Sequence, residues 1–167
     1  MKKLVSTIVV FALVLLFAFS MTACKNADKN DGTPSYTSAK SPAEIYTAVS
    51  AAAGFGGMTI VPTRDYADIY GIDASKVDQS VWYMSENPSL NADEVAIFKL
   101  NDESYTQELA NLFKDRIARQ LQVAETYSPA EAAKLQNAEV FTKGSWVYYC
   151  IGTEAEAMLK VFNTEIK

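Results

Sequence analysis

A strand pair followed by a helix-period stripe occurs twice in this chain, and that order restricts the fold more than any other feature. Residues 79–84 and 95–100 are rich in strand formers and flank the turn residues Asn87, Pro88 and Asn91, which predicts an antiparallel hairpin with a longish loop. Tyr105, Leu109, Leu112, Phe113, Ile117 and Leu121 follow at intervals of three and four, with Asp102 placed to cap them. That spacing puts one apolar stripe of a long helix on the core, while Lys114, Asp115 and Arg119 face water. The second unit is shorter. Residues 140–142 and 146–151 flank Lys143 and Gly144, a tight turn in which glycine accepts positive φ. Ala157, Met158, Val161 and Phe162 then form the stripe of a last helix, with Thr153 and Glu156 as its capping pair.

Two further helices are readable from their caps. Ser41, Pro42 and Glu44 precede Ile45, Val49 and Ala53, and Ser128, Pro129 and Glu131 open a short segment through Leu135. Each set supplies a capping hydroxyl, a proline at the first helical position and a reciprocal carboxylate. Gly54, Gly56 and Gly57 end the first of these helices and lead into Met58, Thr59, Ile60 and Val61, which stop at Pro62; residues 65–70 make a short helical turn closed by Gly71. The expected class is α+β: two β-hairpins forming a mainly antiparallel four-stranded sheet, with helices packed over one face.

The N-terminus carries a different signal. Lys2 and Lys3 precede an apolar run over residues 4–19, and Ser20, Met21, Thr22 and Ala23 lead directly to Cys24. A cationic start, a short apolar middle and a small-residue end make the three-part pattern of an export signal, and the run falls short of the roughly 20 residues that span a bilayer comfortably. Met21, Thr22, Ala23 and Cys24 resemble a bacterial lipobox, with Met21 where Leu is usual. The resemblance implies cleavage before Cys24 and a diacylglycerol on its sulfur. Two acyl chains, at roughly 0.8 kcal/mol per buried methylene, anchor a protein stably where one does not. The expected organisation is a lipoprotein signal peptide over 1–23, a flexible polar tether over 24–41 and one α+β domain over 42–167, on the extracytoplasmic face of the membrane.

Composition removes several function classes. The net charge is −5, and loss of Lys2 and Lys3 with the leader takes it to −7. Nucleic acid and anionic headgroups are bound mainly through Lys and Arg, so no nucleic-acid partner is expected. The chain has no His, the commonest general base and metal ligand, so zinc, haem and triad chemistry have no support; no metal and no cofactor are expected. Asp65, Asp68 and Asp73 lack the spacing of a calcium loop, and the glycines at 54, 56 and 57 lack the Lys–Ser/Thr of a phosphate loop. Cys150, in an apolar run with no basic neighbour, reads as a buried structural thiol. No catalytic residue is assigned.

Two constellations remain. Asp65, Asp68, Asp73, Glu86, Asp93 and Glu94 surround the first hairpin, and a buried acid beside an ionised partner can hydrolyse a glycoside; solvated surface acids account for the same residues. Tyr66, Tyr70, Trp82, Tyr83, Trp146, Tyr148 and Tyr149 make an aromatic set. Successive strand residues face opposite sides, so on a sheet covered on one face Trp82 and Tyr83 cannot both be core. Most of the set is expected in the core, with Trp82, Trp146 and Tyr148, or their alternating neighbours, as the candidate exposed binding surface.

Tyr70, Gly71, Ile72 and Asp73, then Ala92 to Lys99, then Tyr127, Ser128 and Pro129, then Lys143 and Gly144, occur here in one order. That order resembles the bacterial lipoproteins grouped as domain of unknown function 4358, over most of the chain from the first helix to the last hairpin. The resemblance implies a lipobox leader and these fold boundaries, and it implies no reaction, ligand or catalytic residue. The resulting expectation is a non-enzymatic, lipid-anchored module that binds an envelope protein or peptide through one face or edge of its sheet. The rivals are a carboxylate-dependent hydrolase acting on cell-wall glycan or peptide, which needs a pocket joining two of the acids, and a self-assembling spacer.

Overall fold

The structure is a computed structural model that describes residues 35–167. The expected leader, Cys24 and the tether as far as residue 34 lie outside the described residues. The elements in chain order are α1 (Pro42–Ala53), β1 (Met58–Ile60), α2 (Asp65–Tyr70), β2 (Val77–Ser85), β3 (Glu94–Leu100), α3 (Thr106–Tyr127), α4 (Pro129–Gln136), β4 (Val140–Lys143), β5 (Trp146–Ile151) and α5 (Ala155–Glu165). Short 3₁₀ turns, Ala74–Lys76 and Glu103–Tyr105, lead into β2 and α3.

The sheet is antiparallel throughout, in the order β1-β2-β3-β5-β4. The α+β class and the two hairpins are as expected, but the sheet has five strands. Met58–Ile60 reads as a short apolar segment, and it pairs with β2 in the register Met58↔Ser85 to Ile60↔Tyr83. Three residues carry too little pattern to announce a strand; β2, at nine residues, extends far enough to pair with it.

The second correction concerns the layers, because helices cover both faces rather than one. On one face Trp82, Ala96, Phe98, Val147, Tyr149 and Ile151 pack against α2, α3 and α4. On the other, Val81, Val95, Ile97, Trp146, Tyr148 and Cys150 pack against Ile45 and Val49 of α1 and Met158 and Phe162 of α5. The cause lies in β3 and β5. Both are apolar at consecutive positions, Val95 to Phe98 and Trp146 to Ile151, so both sides of each strand need cover.

Local chemistry explains most of the ends. The Ser41 hydroxyl accepts the Glu44 amide at 3.4 Å and the Glu44 carboxylate accepts the Ser41 amide at 2.8 Å, closing the predicted capping box; Gly54 follows at φ 61°. The same arrangement does not form at α4, where Ser128 makes no side-chain cap bond, nor at α5, which Glu154 precedes without one. At α4 the capping acid is used elsewhere: Glu131 accepts the Ala92 amide of the β2–β3 loop at 2.7 Å. The β4–β5 turn is the predicted one, with Lys143 opposite Trp146 and Gly144 at φ 52°.

The polar stretch expected to run free to Ser41 is held from Thr37 onward. Thr37 and Lys167 exchange two backbone hydrogen bonds of 2.6 and 2.9 Å, and the Tyr36 ring lies against Gly144 and 6.0 Å from the Lys143 ammonium. No helix among the described residues is long and apolar enough to cross a membrane.

Candidate functional site

The first residue of β3 is an acid, and it is enclosed. Glu94 is 1% exposed and lies between Met84 and Ile151 of the neighbouring strands, its side chain on the α3 face of the sheet. A lone carboxylate there would cost several kcal/mol, and the fold meets it with five donated hydrogen bonds. Arg116 contributes Nε to Oε1 at 2.8 Å and Nη2 to Oε2 at 2.9 Å, a bidentate pair. Trp82 Nε1 donates to Oε1 at 2.7 Å, Gln120 Nε2 to Oε2 at 3.1 Å, and the Tyr149 hydroxyl to Oε1. Arg116 and Gln120 are four residues apart, so one face of α3 delivers both. The guanidinium also sits 5.1 Å from the centroids of both Tyr70 and Trp82.

Burial by itself would lower the Arg116 pKa; hydrogen bonds and charge from Glu94 outweigh it and raise the value. Burial, then the neighbouring Glu94 charge, lifts the Tyr149 hydroxyl well above the usual phenol range. The Glu94 carboxylate therefore has its acceptor capacity taken by the chain itself, and the network ties the sheet to α3.

One end of this network reaches the surface. Gln120 belongs also to a groove of about 540 Å³ between the β2–β3 loop, the last turns of α3, and α4. Its apolar walls are Leu90, Val123 and Tyr127, which are 71%, 60% and 83% exposed, with Ala92 and Leu135 deeper. Three of the five large hydrophobic side chains exposed among the described residues thus surround one depression, where chance would scatter them singly. Its loop wall is pinned. Besides the Glu131 bond to Ala92, Lys134 bridges Asp93 at 2.8 Å and Glu131 at 3.1 Å, and Asn91 and Asp93 bond each other. Burial opposes the Lys134 charge, and bonds to Asp93 and Glu131 more than restore it, raising its pKa.

The polar groups with spare capacity in the groove are few. Gln120 Oε1 is buried and has no hydrogen-bond partner among the described residues, a state that costs about 1–3 kcal/mol. Arg119 lines the same groove, is exposed, and makes no ion pair among the described residues.

Two other grooves differ in character. One of about 520 Å³, between β5 and the start of α5, has Cys150, Glu154 and Glu156 in its wall. Burial pushes the Cys150 thiol up to about 12, so it stays protonated and unreactive at neutral pH. The third, about 470 Å³, is a shallow apolar furrow between α3 and β4 around Ile117, Leu121 and Val140.

The aromatic surface expected at Trp82, Trp146 and Tyr148 is a correction, since these residues are 0%, 1% and 0% exposed. With helices on both faces, strand alternation sends each ring into one core or the other. Trp82 lies among Tyr66, Tyr70 and Phe113, and Tyr148 lies against Phe141 and Phe162. The alternating neighbour Tyr83 is half-buried and stacked on Tyr46 with centroids 3.9 Å apart. A sheet face is therefore not the open surface.

The acids are not brought together either. Asp73 caps its own turn by accepting from Ser75, which lowers its pKa; Asp65 lies beside Arg64; Asp68 is exposed; Asp93 faces Lys134; Glu94 is enclosed. None of the five lines any of the three grooves. No cluster of three or more His, Cys, Asp or Glu among the described residues could hold a metal ion.

Sequence reasoning passed over Leu90, Arg116, Gln120 and Val123, and gave Tyr127 no binding role. A signal existed in Val123 and Tyr127, apolar residues four apart that fall off the stripe ending at Leu121. Read as surface scatter, they say nothing; beside Leu90, they define a wall.

The chain belongs to the family described as Domain of unknown function (DUF4358), whose match covers residues 51–152. No curated protein and no solved structure matches it. Three of the four segments that carried the resemblance meet around this region: Tyr70 over Arg116, Glu94 at the centre of the network, and Tyr127 with Ser128 on the groove. The fourth, Lys143 with Gly144, forms the distant β4–β5 turn.

Proposed function

We propose that this protein is a lipid-anchored, extracytoplasmic binding module of the cell envelope, tethered through diacylglycerol on Cys24, which holds its ligand in the groove between the β2–β3 loop, α3 and α4. The observation that carries the reading is the concentration of exposed Leu90, Val123 and Tyr127 around one depression whose loop wall is pinned by Glu131 and Lys134. Exposed apolar side chains cost solubility and are retained in clusters where something covers them; a pinned wall lowers the ordering cost of binding. Asp73 is spent on capping and Asp65, Asp93 and Glu94 on ion pairing, and none of them lines a groove with Asp68, which favours binding over hydrolysis as the task. Cleavage before Cys24 leaves a short polar stretch before Thr37, enough to stand the domain off a membrane.

Two measurements test the proposal. Cys24→Ser should move the protein from the membrane fraction to the medium; retention in the membrane removes the lipid anchor from the reading. A photo-crosslinking amino acid at Tyr127 should trap a discrete adduct in cells, and the same group at Lys160 on α5 should not. Equal adducts at both positions, or none at Tyr127, would sink the groove as the binding site.

A further inference from the structure

We infer that the groove is a peptide-recognition site, taking one bulky apolar residue of an extended segment together with that residue's own backbone. The inference rests on the reading of the groove as the binding site and adds the class of ligand. Three requirements meet there. The walls of Leu90, Val123 and Tyr127 need an apolar body to cover them. Gln120 Oε1 needs a donor, and its identity as the acceptor end of the amide is set by the opposite end, where Nε2 donates to Glu94 Oε2 at 3.1 Å. Arg119, exposed and without an ion pair among the described residues, has its donors free for an acceptor on a ligand. The other charged group in the lining, Glu131, is taken by the Ala92 amide and Lys134.

A peptide residue supplies all three within one unit: a side chain, an N–H and a carbonyl oxygen. A lipid acyl chain covers the walls and leaves Gln120 unpaired. A glycan offers hydroxyl donors and leaves Leu90 and Val123 against polar groups. Gln120 Oε1 lies beneath the surface, on the helix face that also carries Val123, Ala124 and Tyr127 at intervals of three, four and seven. Contact with Gln120 Oε1 therefore needs a neighbouring side chain to move, and Tyr127, 83% exposed, has solvent to turn into. The acceptor on the ligand has two sources, an internal carbonyl or a terminal carboxylate, and both suit the free guanidinium.

The test uses the full chain in lipid nanodiscs, with empty nanodiscs as baseline, and fluorescein-labelled pentapeptides Gly-Gly-Xaa-Gly-Gly in which Xaa is Leu, Phe, Trp or Ala. The three bulky peptides should bind at least tenfold more tightly than the Ala peptide. Methylating the amide nitrogen of Xaa should weaken binding about tenfold, because the donor to Gln120 is gone. Val123→Asp and Tyr127→Asp, both at exposed positions where folding is not at stake, should abolish the preference. Peptides placing Xaa last, with a free or an amidated end, separate the two sources of the acceptor: a gain of tenfold with the free end assigns the carboxylate, and equality assigns the internal carbonyl. The proposal is overturned if the Ala peptide binds equally, if N-methylation changes nothing, or if no peptide binds at millimolar concentration. Tighter binding of chitotetraose than of any peptide overturns it in favour of a glycan. Quenching of Tyr127→Trp emission by brominated acyl chains without peptide overturns it in favour of a membrane face. If the Tyr127 crosslink forms in cells while every peptide is inert, the groove stands as the binding site and the peptide class alone is lost.

Discussion

Replacing Glu94 by Gln tests the central energetic claim with one atom. The amide keeps the carboxylate's shape, and its oxygen can still accept from Trp82, Tyr149 and Arg116 Nε, which all address Oε1. Its NH₂ then occupies the place of Oε2, facing Arg116 Nη2 and Gln120 Nε2, so two hydrogen bonds of 2.9 and 3.1 Å become donor–donor contacts. The arginine is left as a largely buried cation with no counter-charge, its side chain 18% exposed. Removing one partner of a buried pair costs about 3–5 kcal/mol, against a total stability of about 5–15 kcal/mol for a domain. Urea unfolding followed by tryptophan emission reads this directly, because Trp82 donates to Glu94 itself. With a slope of about 1–3 kcal/mol per molar urea, the midpoint should fall by about 2 M at unchanged slope. Asp65→Asn, which breaks a 3.5 Å pair with an exposed arginine, is the control and should change stability by less than about 0.5 kcal/mol. A Glu94→Gln midpoint as close to the wild type as that control's would refute the claim that the network carries a mostly buried, charge-compensated arginine.

The remaining predictions concern a buried hydroxyl and a turn. Burial, with the neighbouring Cys150 and Tyr36, pushes the Tyr148 hydroxyl up to about 12 from an ordinary 10.0. The folded state holds that proton more tightly than the unfolded chain, so its contribution is fully present below pH 10 and is lost as pH rises toward 12. Tyr148→Phe should flatten the fall in stability between pH 10 and 12, and at pH 7 it should be neutral or stabilising by up to about 1 kcal/mol, since the hydroxyl has no partner among the described residues to lose; thermal melts across pH check both. Gly144→Ala should cost about 1–2 kcal/mol in the same melts, because φ is 52° and a Cβ would also stand 3.4 Å from the Tyr36 ring.

What could be read ahead of the fold follows from how local each signal is. Capping at Ser41, the stripe from Tyr105 to Leu121 and the turn at Gly144 involve neighbours within a few residues, and each appears where its pattern puts it. The capping set at Ser128 and Glu131 has the same pattern, and a partner 39 residues away, the Ala92 amide, takes its carboxylate. Local chemistry proposes a bond there; a long-range contact replaces it. Glu94 shows the same limit more sharply. In sequence it is one of a run of acids, and only the approach of Arg116 and Gln120 from α3 makes it the centre of a buried network.

The chain by itself determined the elements other than β1, their order, the absence of histidine chemistry and the acidic balance, because composition and short-period patterns need no partner to be legible. Tertiary structure decided which side of each strand is covered, which acids are neutralised, and that Leu90, Val123 and Tyr127 share one groove. Those outcomes depend on residues far apart in sequence, Glu94 and Arg116 by 22 positions and Asp93 and Lys134 by 41, meeting across a sheet and two helices, and nothing in the spacing of a one-dimensional pattern carries that distance.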